Sequence, residues 1–319
     1  MKKTFSHIRN LFFKPEAPQT LAYFRIAVSA FGLVQLFVLL PDWMWLYGPK
    51  GLLPWEISDA LNTNGTPSLL FASNLLAHVH ISPTATVYLV TIIYFLSLTA
   101  LLIGFKTRVM AITAWLMHLM INTTGHFTAY GVESFLHIAL FYCAVLPVGY
   151  CLSIDAIKKR TVIPPYLITL SVRIIQLHLC MMYLASGIEK SLGGQWWSGE
   201  AVWLALQQDQ FHKFDTGWMA QIPILPKLLC WGTLLAETFY PIGIFYKKTK
   251  KVWLISIMSM HAFIALFLGL QLFGALMTLL NLTAFGNHSF NGLFLLKWKN
   301  IVARVNMHKA VFVKQPAGL

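Results

Sequence analysis

The sequence is divided into apolar blocks of about 18 to 22 residues, the length of helix that crosses the roughly 30 Å hydrocarbon core of a bilayer. The block 21–40 carries a single charged residue, Arg25, and the block 87–104 carries none. A soluble helical protein would place charged faces between its apolar stripes. Only 11% of this chain is charged, against roughly 25% of an average soluble domain. The pattern therefore predicts an all-α, polytopic bundle of transmembrane helices.

Hydropathy predicts about eight spans within a membrane domain that covers residues 1–290. The region 252–287 holds two crossings only if the chain turns sharply near Gly269; the alternative is one crossing followed by a re-entrant half-helix. Residues 291–319 are expected to form a short basic cytoplasmic tail. The spans are placed near 21–40, 85–104, 108–122, 134–151, 168–188, 227–246, 252–268 and 272–287.

The distribution of basic residues predicts the orientation. With the N-terminus inside, 18 of the 24 Lys and Arg residues fall in predicted cytoplasmic segments, as the positive-inside rule requires. Both termini are then cytoplasmic, and the long loops 41–83 and 189–226 lie outside. Because the net charge of +13 comes from clusters beside apolar blocks, we expect a multi-pass protein of the cell membrane with lipids as partners and no nucleic acid.

Lys190 is the most informative ionisable residue, because charged groups at the depth of a membrane helix are costly and usually functional. It follows the predicted fifth span directly, at its outer edge. Desolvation penalises the ammonium form, so a lysine beside an apolar surface can act as a base. The alternative is an interfacial lysine paired with lipid headgroups or with Glu189. Ser186 and Gly187 precede it and favour close passage of another helix.

Other polar residues at helix depth have simpler interpretations. Arg25 is expected to extend to the cytoplasmic headgroups. Glu133 and His137 share a helix face at i, i+4 spacing, either as a metal pair or, more simply, as an acid at a helix start that bonds a histidine. No HExxH or CxxC pattern occurs, so no dedicated metal site is expected.

Several segments resemble a known family. The run SVRIIQLHLCMMYLASGIEKSLGGQWWSGEAV, with YGPKGLLP, ESFLHIALFYCAVLPVGYCLSID and AETFYPIGIFYKKTKKVWLISIMSMHAFIALFLGLQLF, resembles the HTTM family, the membrane domain shared with vitamin K-dependent γ-carboxylase. The resemblance covers about residues 15–290. It implies a polytopic helical domain that uses a lipid quinol similar to vitamin K.

The resemblance also implies roles for particular residues. In the carboxylase, a lysine in the matching turn deprotonates vitamin K hydroquinone, so Lys190 would be the catalytic base and His261 a second catalytic residue. Glu189 and Ser191 flank Lys190, where the carboxylase has a lysine and a leucine. The further residues expected to bind substrate or line its cavity are Glu237, Tyr183, Glu189, Trp197, Gln271, Glu133 and His137.

Two functions remain open. One is a carboxylase-like or oxidoreductase-like enzyme that uses a lipid quinol at the extracytoplasmic face, which requires Lys190 and His261 to meet at one cavity. The other is a non-catalytic membrane protein that assists the maturation or export of a secreted peptide, with that peptide or another membrane protein as its partner. In that case, the polar groups should pair with one another and leave no cavity. A transporter is less favoured, because no inverted repeat or matched pair of broken helices occurs.

Overall fold

The computed structural model describes residues 15–62, 64–158, 163–211 and 214–286. Within these ranges every regular element is a helix and no strand occurs. The predicted all-α class is therefore confirmed. The expected basic tail 291–319 lies outside the described residues, as do the basic residues near the N-terminus.

Eight longer helices in the described part correspond in order to the eight predicted spans. They are α1 Gln19–Leu39, α2 Pro83–Ile103, α3 Thr107–Thr124, α4 Val132–Val145, α5 Pro165–Leu192, α6 Ile224–Thr238, α7 Lys250–Phe267 and α8 Gln271–Phe285. Shorter helices connect them: Trp43–Tyr47, Trp55–Ala60, Leu69–Ala77, Ile154–Lys158, Gly194–Ser198, Glu200–Gln207 and Tyr240–Gly243.

Four of the described helices are long and apolar enough to cross a bilayer. They are α1 with its continuation to Tyr47, α2, α5 and α7. Helices α4 and α8 are apolar but shorter; the 15 residues of α8 span about 22 Å at 1.5 Å per residue, less than the core of a bilayer. The number of crossings and the orientation therefore stay predictions.

Three helix boundaries differ from the predicted ones. Helix α5 runs on to Leu192, so Lys190 lies in its last turn and not in a turn beyond the span. Helix α4 ends at Val145 because Pro147 disfavours helical backbone at the residue before it. The predicted span 227–246 is interrupted at Phe239, where Pro241 cannot donate the hydrogen bond that would continue the helix.

The chain turns sharply between α7 and α8, as one of the two interpretations of this region required. Gly269 has a positive φ of 71°, which glycine adopts without steric cost. Below the turn, a Cβ atom on Gly274 would lie 2.5 Å from the carbonyl oxygen of His261. The missing side chain therefore lets α8 pack directly against the segment of α7 that carries His261.

Arg25 is buried and does not extend to the headgroups, which corrects the prediction. Its side chain is fully inaccessible, and Nη2 donates to the carbonyl oxygen of Leu152 at 2.6 Å. A Cβ atom on Gly104, where φ is 71°, would collide with Nη1. The guanidinium is thus enclosed where α1 passes the turn after α2, a packing that hydropathy does not reveal.

Gly187 lies where α6 crosses α5. A Cβ atom there would be 2.6 Å from the backbone nitrogen of Thr238, closer than any side chain tolerates. This confirms the predicted close helix passage at Gly187. It also brings the end of α6, with Glu237, beside Lys190.

Candidate functional site

An apolar cavity of about 270 Å³ lies between α5, α6, α7 and α8, beneath the helix Glu200–Gln207. Its polar lining comes from Tyr183, Ser186, Lys190, Thr233, Glu237 and His261. Apolar side chains form the remaining wall, among them Phe135, Met182, Trp196, Val202, Met260, Phe263, Ile264, Leu268, Phe273 and Met277. A mostly apolar space with a few convergent polar groups is the usual form of a small-molecule site.

Helical periodicity explains why these polar residues converge. Tyr183, Ser186 and Lys190 are spaced by three and four residues, which places them on one face of α5. Thr233 and Glu237 are four residues apart on α6 and therefore share a face as well. The close approach of the two helices at Gly187 turns these faces toward one space.

Lys190 forms an ion pair across the cavity wall. Its Nζ donates to Glu237 Oε2 at 2.8 Å and also to Ser186 Oγ, and it lies 5.5 Å from the ring centroid of Trp196. The Glu237 side chain is 7% exposed and that of Lys190 25%, so the pair is partly shielded from water. Removing either partner would leave the other charge without compensation in this partly shielded site, which is destabilising.

A series of hydrogen bonds between side chains leads to His261. Tyr240 donates its hydroxyl hydrogen to Asn281 Oδ1 at 2.5 Å. Asn281 Nδ2 donates to the Tyr183 hydroxyl at 2.7 Å and to the Met277 carbonyl at 2.8 Å. Since a carbonyl only accepts, the Met277 contact determines which way the Asn281 amide is turned.

The same hydrogen bonds favour one tautomer of His261. The Tyr183 oxygen accepts from Asn281 and lies 2.9 Å from His261 Nε2. If Tyr183 gives its own hydrogen to Nε2, the neutral imidazole carries its hydrogen on Nδ1. Nδ1 is buried and has no hydrogen-bond partner among the described residues. A buried N–H without a partner is costly, so a ligand atom that accepts this hydrogen bond would be favoured.

Three predicted cavity residues lie elsewhere on the nearby surface. Glu189 is exposed, because neighbouring positions on a helix diverge by about 100° and Lys190 takes the inward position. Trp197 is 57% exposed and donates to the Ser191 carbonyl at 2.7 Å, while Trp196 lines the cavity. Gln271 is exposed at the first position of α8.

Glu133 and His137 belong to a separate cluster. Glu133 accepts hydrogen bonds from Gln35 Nε2 at 3.3 Å and from the Tyr130 amide at 3.2 Å, while His137 Nδ1 lies 3.4 Å from the Nδ1 atom of His118. The expected bond between Glu133 and His137 is therefore wrong, because α1, α3 and the segment before α4 supply nearer partners. The described residues contain no group of three potential metal ligands.

Sequence reasoning did not single out five residues of the site: Trp196, Thr233, Tyr240 and Asn281 were not proposed, and Ser186 was considered only for packing. A polar side chain in an apolar helix could have marked Asn281 by the same cost argument that marked Lys190. Nothing in the sequence distinguishes Trp196 from Trp197, because the local turn decides which of the two faces inward.

The HTTM domain family matches residues 53–294, most of the chain. The chain belongs to the HTTM domain family. The match begins well after residue 15, where the resemblance was expected to start, and it contains every residue that lines the cavity. No curated protein and no solved structure matches the chain. The HTTM domain and the apolar helices together indicate a membrane protein, similar to the membrane domain of the γ-carboxylase.

Proposed function

We propose that this HTTM protein is a multi-pass enzyme of the cell membrane that binds a lipid quinol at the extracytoplasmic face. The reaction would be carboxylase-like or oxidoreductase-like, with Lys190 as base and His261 as second catalytic residue. One observation carries the proposal: Lys190 from α5 and His261 from α7 line the same apolar cavity. This is the arrangement that the enzyme hypothesis requires and that the non-catalytic hypothesis does not.

The cavity suits the ring of a quinol better than a large polar substrate. Its volume of about 270 Å³ is slightly below the usual range for ligand sites, roughly 300 to 1,000 Å³, and its wall is mainly aromatic and aliphatic. Helix α7 forms one side, and only 11% of its apolar stretch is buried. A ring could therefore occupy the cavity while an isoprenoid tail extends along α7 into lipid.

The ion pair with Glu237 makes the base role of Lys190 conditional. A protonated lysine cannot accept a proton, so Lys190 must first pass one to Glu237 Oε2, 2.8 Å away. Exclusion of water by an apolar ligand favours this transfer, because desolvation penalises both charged forms. Neutral Lys190 would then be the group that accepts the proton of a bound quinol's hydroxyl, and the new ammonium would stabilise the negative charge left on the ligand. Glu237 would thus hold the proton that Lys190 gives up.

The alternative is a non-catalytic protein that assists maturation or export of a secreted peptide, with that peptide or another membrane protein as its partner. One observation favours it: Lys190 pairs with Glu237, and Tyr183 bonds His261. Groups that satisfy one another stabilise a structure without performing chemistry. The enzyme function therefore requires a ligand that separates these pairs, whereas the non-catalytic function leaves them intact.

Phylloquinol provides the test, with full-length protein in lipid nanodiscs under air. Binding is measured by tryptophan quenching and turnover by chromatography of the quinone and epoxide products. Lys190→Ala should lower turnover by about 10² to 10⁴-fold, the usual contribution of a general base. Lys190→Arg should bind but not turn over, because a guanidinium stays protonated.

Lys227→Ala is the matched control. Lys227 also lies over a tryptophan, 5.2 Å from the Trp231 centroid, but it does not line the cavity, so this variant should keep parental turnover. Full activity of Lys190→Arg would show that the residue supplies a positive charge and no base. Absence of both binding and turnover in the parent protein would leave the non-catalytic function.

A further inference from the structure

A groove of about 630 Å³ lies far from the cavity, between the α2–α3 turn, the end of α4 and the helix Ile154–Lys158. Its wall includes Ile163, two residues before α5 begins, whereas Lys190 lies in the last turn of α5. The 28 residues of α5 measure about 40 Å along the helix. The groove and the quinol cavity are therefore at opposite ends of the bundle.

Asp155 holds the turn beside this groove in a defined shape. Its carboxylate accepts from the Lys106 amide at 2.9 Å and from the Thr107 amide and hydroxyl at 2.7 and 2.8 Å, and its own amide donates to the Gly104 carbonyl at 3.0 Å. Lys106 has a φ of 43°, which a residue with a side chain adopts at a cost. The turn is thus fixed although its backbone is strained.

The negative charge of Asp155 is satisfied within this turn. Burial raises the pKa of the Asp155 carboxyl, but the hydrogen bonds from Thr107 and Lys106 outweigh it and leave the pKa below its ordinary value. The carboxylate is therefore ionised near neutral pH, and its oxygens accept from the Lys106 amide and from the amide and hydroxyl of Thr107.

Two cationic side chains remain at the rim of the groove. Lys106 Nζ lies 5.8 Å from the ring centroid of Phe105, and Arg108 Nη2 donates to the Val145 carbonyl at 3.0 Å. The ion pairs among the described residues are those of Arg173 and Lys190, so neither cation of the groove takes part in one. Apolar side chains form the surface below the rim: Phe105, Val109, Leu146, Pro147 and Ile163.

We propose that this groove binds an anionic phospholipid, with its phosphate at Lys106 and Arg108 and an acyl chain along Phe105, Val109 and Leu146. A cationic rim above an apolar surface at the end of a helix bundle has the charge and polarity of that ligand. An acidic protein segment would match the rim but not the apolar surface. The inference rests on the proposed placement in a membrane and is independent of the quinol chemistry.

Short-chain phosphatidylglycerol tests the proposal by titration of the purified full-length protein in detergent, with the shift in melting temperature as readout. The double variant Lys106→Gln/Arg108→Gln should bind about thirtyfold more weakly, from the contribution typical of two basic groups at an anionic membrane surface. The control Lys247→Gln/Lys248→Gln removes the same charge from exposed residues of another loop and should keep the parental affinity. Turnover of phylloquinol should be unchanged in both variants.

Four results would overturn the assignment. Equal stabilisation by zwitterionic phosphatidylcholine would show that the net negative charge of the headgroup is not recognised. Equal stabilisation by glycerol 3-phosphate would indicate a soluble anion. An equal loss in the control would indicate diffuse surface charge, and parental affinity in the double variant would exclude the groove. If the double variant does not fold, Lys106→Gln alone replaces it in the test. This single change should weaken binding about fivefold, and parental affinity would again exclude the groove.

Discussion

Individual side chains at the cavity differ in how firmly their neighbours hold them. Lys190 has a charged partner and a hydroxyl partner, so its position is over-determined. His261 is held on one side by Tyr183, and its Nδ1 has no partner within the described residues. A ligand therefore gains most where a hydrogen bond is still missing, which is at His261.

Asn281→Leu tests the chain that orients His261. The change removes the acceptor for the Tyr240 hydroxyl and the donor to Tyr183 while keeping a similar volume. Buried polar groups left without partners cost roughly 1 to 3 kcal/mol, so the variant should unfold more easily than the parent, measured by urea or SDS titration in detergent.

Tyr240→Phe provides the control for this prediction. In the Asn281→Leu background it removes the stranded hydroxyl, so Tyr240→Phe should destabilise the Asn281→Leu variant less than it destabilises the parent. Strict additivity of the two changes would mean that the hydrogen bond between Tyr240 and Asn281 contributes nothing.

Among the elements, α5 and α6 set the geometry of the site. Because α5 continues to Leu192, Lys190 is carried on a rigid helix and not on a mobile loop. The crossing with α6 occurs at Gly187, less than one turn before Lys190. A change in helix spacing there would separate Lys190 from Glu237.

Gly187→Ala should destabilise the protein and weaken the ion pair. The new methyl group would lie 2.6 Å from the Thr238 backbone nitrogen, and a backbone atom cannot move without shifting α6, which costs about 1 to 3 kcal/mol. Melting temperature in detergent and yield of folded protein measure the effect.

Gly232→Ala is the matched control on α6, because a Cβ atom there meets nothing within 4 Å. It should leave the melting temperature unchanged or raise it slightly, since alanine favours helix over glycine by about 1 kcal/mol. Equal behaviour of the two variants would place Gly187 on a face without close contacts.

For the whole molecule, the orientation in the membrane determines which compartment reaches each site. The distribution of basic residues predicts that the loop 189–226 is external and the turn around residues 247–251 cytoplasmic. The cavity at Lys190 would then open near the outer leaflet, and the groove at Lys106 and Arg108 would lie near the inner one.

Single cysteines test this orientation in a background that lacks Cys143, Cys151, Cys180 and Cys230. Gln208 and Lys248 are both exposed. An impermeant thiol reagent applied to intact cells should label Gln208→Cys and spare Lys248→Cys, and both should react after lysis. The reverse pattern would invert the proposed topology and place Lys190 on the cytoplasmic side.

The sequence by itself determined the helices and the residues worth examining. Helix formation follows from blocks of apolar residues, a local property, and the eight long helices match the predicted spans in order. The cost of an ionisable group at helix depth is also local. It marked Lys190, Glu237 and His261, which all line the cavity.

Only the tertiary structure decided which polar groups meet. Lys190 pairs with Glu237, 47 residues away, and not with the adjacent Glu189. Glu133 bonds Gln35 and not His137 on the same helix face, and Arg25 is enclosed at the Leu152 carbonyl instead of reaching the headgroups. Which side chain pairs with which depends on the helix faces that pack together and on the distance between the helices. Small residues such as Gly187 and Gly274 set that distance, through contacts between residues that are far apart in the sequence.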